Sequence, residues 1–152
     1  MKTQKQQGFT IIEVVLVLAI AGLIFLIVFL AVPALQRSQR DTARKQDLSR
    51  FMSQISNFQA NTRGTVPTAD AAGVTAFVNS YLTVGGDTFA DPNGANYTYV
   101  YGVGAAPTTA GQIRYGTTAR CGAGGALAAG TGGRQVAASV FLEGGGAYCQ
   151  QN

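Results

Sequence analysis

The chain begins polar, is apolar and uncharged over residues 14–35, and thereafter mixes polar and apolar positions to its end. An uncharged tract of that length spans a bilayer as one helix, at about 1.5 Å per residue across ~30 Å of hydrocarbon. Gly22 and Pro33 are its weak points. Pro33 lacks a backbone donor and crowds the carbonyl four residues back, so a kink or local melting is expected near residues 29–33. Over residues 36–63 the apolar positions Leu48, Phe51, Met52, Ile55 and Phe58 follow one helical stripe, which predicts that the helix continues and lays one face on a globular head. Arg37 with Asp41, and Asp41 with Lys45, sit at i,i+4 for weak surface pairing. Gly64 is placed to close this helix and Pro67 to stop it.

A second helix is expected over residues 68–82, capped by Thr68 or Asp70, with Val74, Phe77, Val78, Tyr81 and Leu82 on one face. Asp91-Pro92-Asn93-Gly94 is a turn signal. Strand patterns follow over residues 97–103, 112–121 and 135–143, joined by glycine-, alanine- and threonine-rich connections. The economical assembly is α+β: one long N-terminal helix, half apolar and half amphipathic, packed on a three- or four-stranded antiparallel sheet.

What separates the apolar tract from an ordinary anchor lies just before it, in Gly8-Phe9-Thr10-Ile11-Ile12-Glu13 after a short leader carrying Lys2 and Lys5. A secretory signal has its small-residue cleavage site after the apolar run, whereas Gly8 comes before it. Glu13 stands in the first turns of a helix bound for lipid. A charged group near a bilayer centre costs on the order of 2.5–3.5 kcal/mol, so Glu13 calls for a partner, which the apolar tract does not contain.

These residues resemble the N-terminal signal of type IV prepilins and pseudopilins. The resemblance implies cleavage by a prepilin peptidase after Gly8, N-methylation of the new terminus Phe9, and an assembly role for Glu13, whose carboxylate would neutralise the free amine of a neighbouring subunit. Each of those charges is costly alone in hydrocarbon and tolerable when paired. It further implies a leader over residues 1–8, a transmembrane and filament-core helix over 9–35 and a pilin head over 36–152. Gly22 and Pro33 would then mark where the stem extends in a filament. The implied partners are other copies of the chain, the peptidase, an inner-membrane assembly platform and, before assembly, membrane lipid. The implied path runs from a single-pass inner-membrane precursor to an extracellular filament. A pseudopilin of a type II secretion or DNA-uptake system, and an anchored binding module that never polymerises, are the alternatives.

Composition narrows the chemistry. The 152 residues hold no histidine, which removes the commonest general base and metal ligand, and no cofactor or enzymatic activity is expected. Formal charge is +4, and losing Lys2 and Lys5 with the leader leaves 9 − 7 = +2, too little to argue for nucleic acid. Arg37, Arg40, Arg44 and Lys45 outweigh the leader's lysines, and by the positive-inside rule they oppose an exported head. The implied export and the even cysteine count argue the other way. In an exported chain Cys121 and Cys149 read as a disulfide joining the second strand to the C-terminal tail, with two buried free thiols as the alternative.

Three further patterns have ordinary explanations. Asp87, Asp91 and Asn93 offer oxygen ligands for calcium, yet they are equally turn-forming residues, and Gly102 occupies the place of an EF-hand's last glutamate. Arg114, Arg120 and Arg134 beside Tyr97, Tyr99, Tyr101 and Tyr115 contain the ingredients of a single-strand nucleic-acid surface, although alternating tyrosines more often pack a strand on a helix. The glycine clusters lack the lysine and final glycine of phosphate loops.

Overall fold

The computed structural model describes residues 8–68 and 70–152. Of the leader expected at residues 1–8, all but Gly8 lies outside the described residues. Two compact units are present, Met1–Gln36 and Arg37–Asn152.

In the first unit α1 (Ile11–Asn61) begins at Ile11 and its helical assignment passes through Pro33 without a break. The local melting expected near residues 29–33 is therefore not found. Proline removes a single N–H from the ladder, and the surrounding leucine, isoleucine, valine and alanine positions keep their own hydrogen bonds. The large apolar side chains from Ile11 to Leu35 are exposed all round the helix. That helix is long and apolar enough to cross a membrane.

The second unit is an α+β head built on the rest of α1. The buried positions of α1 are Asp41, Arg44, Leu48, Phe51, Met52 and Ile55, one stripe at three- and four-residue steps. The helix ends as the glycine signal suggests. Gly64 takes φ +86° and returns its N–H to the Gln59 carbonyl at 2.6 Å. α2 (Ala71–Tyr81) is capped by Asp70, whose carboxylate accepts the Gly73 N–H at 2.6 Å, so Asp70 rather than Thr68 is the cap.

The sheet departs from the expected pattern in three respects. Strands β1 (Thr98–Tyr101), β2 (Gln112–Thr117), β5 (Val136–Phe141) and β6 (Ala147–Gln151) form one sheet in that order. The β2–β5 and β5–β6 pairs are antiparallel, but β1 runs parallel to β2, with Thr98 opposite Gln112. A tight hairpin cannot make a parallel pair. Residues 102–111 instead form a return strap, held where Gly104 pairs with Leu127.

The strand expected over residues 112–121 is broken at Thr118, which adopts φ +51°. That is an uncommon conformation for a β-branched residue. The chain leaves the main sheet there and forms β3 (Ala119–Cys121), which pairs with β4 (Leu127–Ala129) in a separate two-stranded sheet. The third departure is β6, which lies in what reads from the sequence as a tail.

Phe51 is the hub of the core. Its ring meets Phe77 edge-on at 5.5 Å and Tyr115 edge-on at 5.7 Å, and stacks towards Phe89 at 6.2 Å. Leu48, Ile55, Val74, Leu82, Ile113, Val136 and Val140 fill the space around it, each fully buried. A smaller cluster of Ala119, Leu127 and Ala137 sits on the other face of β5, against a Cys121–Cys149 disulfide. The bridge ties β3 to β6 across 28 residues, a closure that stabilises a fold by roughly 3–4 kcal/mol on a chain-entropy view.

Candidate functional site

Two constellations stand out, one in each unit. At the start of α1, Thr10 precedes the first helical residue and Glu13 is the third residue within the helix. Glu13 Oε2 accepts the Thr10 N–H at 2.9 Å and the Thr10 hydroxyl at 2.8 Å, while Thr10 Oγ1 accepts the Glu13 N–H at 3.4 Å. This reciprocal pairing is a capping box, which satisfies donors that a helix start leaves open.

The pattern Thr-x-x-Glu before an apolar run states that box in the sequence. Part of the partner that Glu13 calls for is therefore Thr10 of its own chain, rather than a group on a neighbouring subunit alone. Oε1 makes no hydrogen bond among the described residues, so one oxygen of Glu13 is held locally and the other is open. Phe9 extends beyond the helix, 90% exposed, immediately before the box. Gly22 has open space where a Cβ would be, and Pro33 lies within the same helix.

The head carries a dense ionic cluster. Arg44, on the buried stripe of α1, has no exposed surface. Its Nε and Nη2 donate to the two oxygens of Asp91 at 2.6 and 3.0 Å, Nη1 reaches Asp41 at 3.3 Å, and Nη2 lies 2.8 Å from Glu143. Arg40 clasps Glu143 from the outside, Nη2 to Oε2 at 2.6 Å. Asp41 also accepts the backbone N–H groups of Glu143 and Gly144, both at 2.7 Å. The cluster thus fastens α1 to the turn at Asp91 and to the β5–β6 turn. Asp41 serves these groups rather than the expected surface pairs with Arg37 and Lys45. Lys45 lies over the Tyr148 ring at 5.8 Å.

Hydrogen bonds from Arg40, and then from Arg44, hold the Glu143 carboxyl down to about 2, whereas the Asp91 hydrogen bond raises Arg44 above an ordinary arginine. The Glu143 pKa is depressed on folding. The stability it contributes is therefore complete above the ordinary glutamate value near 4.5 and is lost as pH falls through about 2. Denaturant midpoints measured between pH 5 and pH 2 are expected to fall in the parent and to fall less steeply in Glu143→Gln. Identical slopes would contradict this role for Glu143.

The remaining sequence candidates are placed as follows. Asp87 is exposed and paired with Arg50 at 2.7 Å. Asp91 is buried with both oxygens on Arg44, and the Asn93 N–H donates to Asp91 at 3.1 Å. Arginine thus holds both carboxylates of the calcium candidates, and no group of three acidic, histidine or cysteine side chains suited to a metal occurs among the described residues.

The tyrosines do not form a stacking surface. Tyr97 is buried and donates to Asp47 at 2.7 Å, Tyr115 is buried and donates to the Pro67 carbonyl at 2.9 Å, and Tyr99 and Tyr101 lie half-buried on the core. Burial raises both Tyr97 and Asp47.

A long helix with an apolar, uncharged first half, opened by a capped glutamate and followed by a disulfide-closed α+β head, has a pilin-like layout. Residues 3–29 match the family model of the prokaryotic N-terminal methylation motif, the signal of type IV pilins and pseudopilins. The match includes Gly8, Phe9, Thr10, Glu13 and Gly22, and it implies prepilin peptidase processing and pilus-type assembly in general. With the apolar helix it fits membrane anchoring of a precursor. No curated protein and no solved structure matches the chain.

Proposed function

We propose that this chain is a structural subunit of a type IV pilus-like surface filament, cleaved after Gly8, N-methylated at Phe9 and polymerised through the apolar half of α1. Its chemistry is assembly rather than catalysis. The observation that carries the reading is the half-satisfied Glu13: one carboxylate oxygen is held by Thr10 and the other is open, on the third residue of a helix whose neighbouring side chains are apolar. In lipid, and in a filament core, an open carboxylate oxygen favours a cationic donor. The amine of a processed Phe9 on a neighbouring copy has that chemistry. Pairing the two sets the stagger of one helix on the next, while the exposed side chains over residues 11–35 bury one another instead of meeting water.

The self-contained head supports the same reading. Its core, ionic cluster and disulfide are complete within residues 37–152, so polymerisation through the stem does not require the head to rearrange. The platform, the peptidase and other copies of the chain are the partners in this account, and the filament is outside the cell. Shearing intact cells and probing the released material tests it. Recovery of the chain in sedimentable filaments is expected, and retention wholly in the inner membrane favours a secretion or DNA-uptake pseudopilin.

A further inference from the structure

The head buries nearly all of its large apolar side chains. Among the described residues of the second unit, only Val84 and Val103 are large, apolar and exposed. Single exposed valines are ordinary on a soluble surface. Val103 differs in how firmly its backbone is held and in what the other side of the head offers.

Val103 stands at the start of the return strap, between Gly102 at φ +88° and Gly104 at φ +152°. Gly104 exchanges both backbone hydrogen bonds with Leu127, at 2.8 and 2.9 Å, and Pro107 is buried further along. The valine is thus presented on a fixed backbone that has little freedom left to lose on contact. The strap lies on the sheet face turned away from α1. Ile113 and Tyr115 of β2 enter the core beneath α1, so Arg114 and Gly116 face the other way. A Cβ at Gly104 would lie 3.1 Å from Arg114 Nη1, and one at Gly116 would lie 3.6 Å from the Gly102 carbonyl carbon.

The helical side of the head has an open groove of about 480 Å³ between the end of α1 and α2. Phe58, Phe77 and Tyr81 form its aromatic wall, with ring centroids 5.3 to 5.8 Å apart. Val66, Pro67 and Ala76 add apolar lining, and no charged side chain among the described residues lines it. The strap side matches, since residues 92–113 contain no charged residue. Aromatic side chains with charge depleted around them mark the core of a protein–protein interface.

We infer that Val103 of one copy seats in the α1–α2 groove of the next, as a head-to-head contact along the filament. The inference rests on the filament reading above. Copies joined by one repeated stem contact are related by one repeated rotation and rise, so their heads meet through two different patches rather than one patch on itself. Val103 and the groove are such a pair, one on each side of the sheet. Val84 is not, because it follows directly on α2, whose residues line the groove. Seating the isopropyl group on the aromatic wall takes both out of water.

The test uses cells that express the full chain. Val103→Asp is expected to leave the melting midpoint of the purified chain in neutral detergent unchanged, because the side chain is exposed. It is expected to lower the yield of sheared filaments about tenfold, because a carboxylate must give up its water to enter the groove. Val84→Asp makes the same change at the other exposed valine and is expected to keep the parent yield. Equal yields from the two variants overturn the contact, whether both match the parent or both fall.

Cross-linking identifies the partner surface. Filaments of a chain carrying Val103→Cys and Ser80→Cys, the latter in the groove, are treated with a short bismaleimide, to which the bridged native cysteines are inert. A ladder of multimers on a denaturing gel is expected, since each copy joins two neighbours, and in neither single-cysteine variant. Filaments that give dimers or monomers alone overturn the contact and leave the filament reading standing. A parent that yields no filament overturns that reading and the contact with it. If the double variant does not assemble, the comparison of Val103→Asp with Val84→Asp still decides.

Discussion

Glu13→Ala is expected to leave the precursor inserted and cleaved, yet to reduce the chain recovered in sheared surface filaments by about a hundredfold. The substitution removes the open Oε1 that the assembly account gives to a neighbour's amine, and leaves that amine unpaired among apolar side chains. Such a charge costs on the order of 2.5–3.5 kcal/mol, and each 1.4 kcal/mol is a factor of ten.

The same change removes the capping box, which holds Thr10 through Oε2. A lost cap is worth only about 1 kcal/mol and acts on the start of α1 alone. Thr10→Val separates the two contributions, since it deletes the hydroxyl and keeps the carboxylate. It is expected to lower filament yield several-fold at most. Undiminished surface abundance and function in Glu13→Ala would point to an anchored binding module that does not polymerise.

The second large effect lies in the head. Arg44→Met is expected to destabilise it by about 3–5 kcal/mol, because Asp91 would be left as a buried carboxylate without its counter-charge. For a domain of this size that lowers the melting midpoint by roughly 10–25 °C, read by circular dichroism on the full chain in detergent.

Desolvation makes such a cluster weak evidence of net stabilisation, since a well-packed apolar replacement often does as well. The double variant Arg44→Met/Asp91→Leu is therefore expected to recover much of the loss. Glu143 keeps Arg40 in both variants. An unchanged midpoint in Arg44→Met alone would contradict the placement of Asp91 on Arg44.

The apolar tract, the stripe from Leu48 to Phe58, and the second helix with a cap at Thr68 or Asp70 are legible in the sequence because each rests on local periodicity or a local hydrogen bond. The N-terminal motif is legible for the same reason. The buried stripe of α1, however, begins at Asp41 and Arg44, and a search for apolar residues at helical spacing passes over charged ones. Arg44 is interior only because Asp91, 47 residues away, meets it, and nothing near Arg44 in the chain announces that pairing.

The sheet shows the same limit. The antiparallel expectation follows from strands adjacent in sequence, whereas the parallel β1–β2 pair depends on a strap that finds its partner at Leu127. The break at Thr118 is fixed by its neighbours: its N–H goes to the Gln135 carbonyl at 2.7 Å and its carbonyl accepts the Gly130 N–H at 2.8 Å. A threonine carries no local signal for that conformation. Thr10-x-x-Glu13 is itself a helix-start signature, but a carboxylate bound for lipid calls equally for a partner outside the chain, and the sequence does not say which of the two it meets.

The measurement that bears most directly on the assembly account is mass spectrometry of the N-terminal peptide in material sheared from the cell surface. A peptide beginning at N-methylated Phe9 in that fraction is the predicted result, joining processing and filament export in one observation. A mature chain that still begins at Met1 would contradict the account and leave a signal-anchored domain.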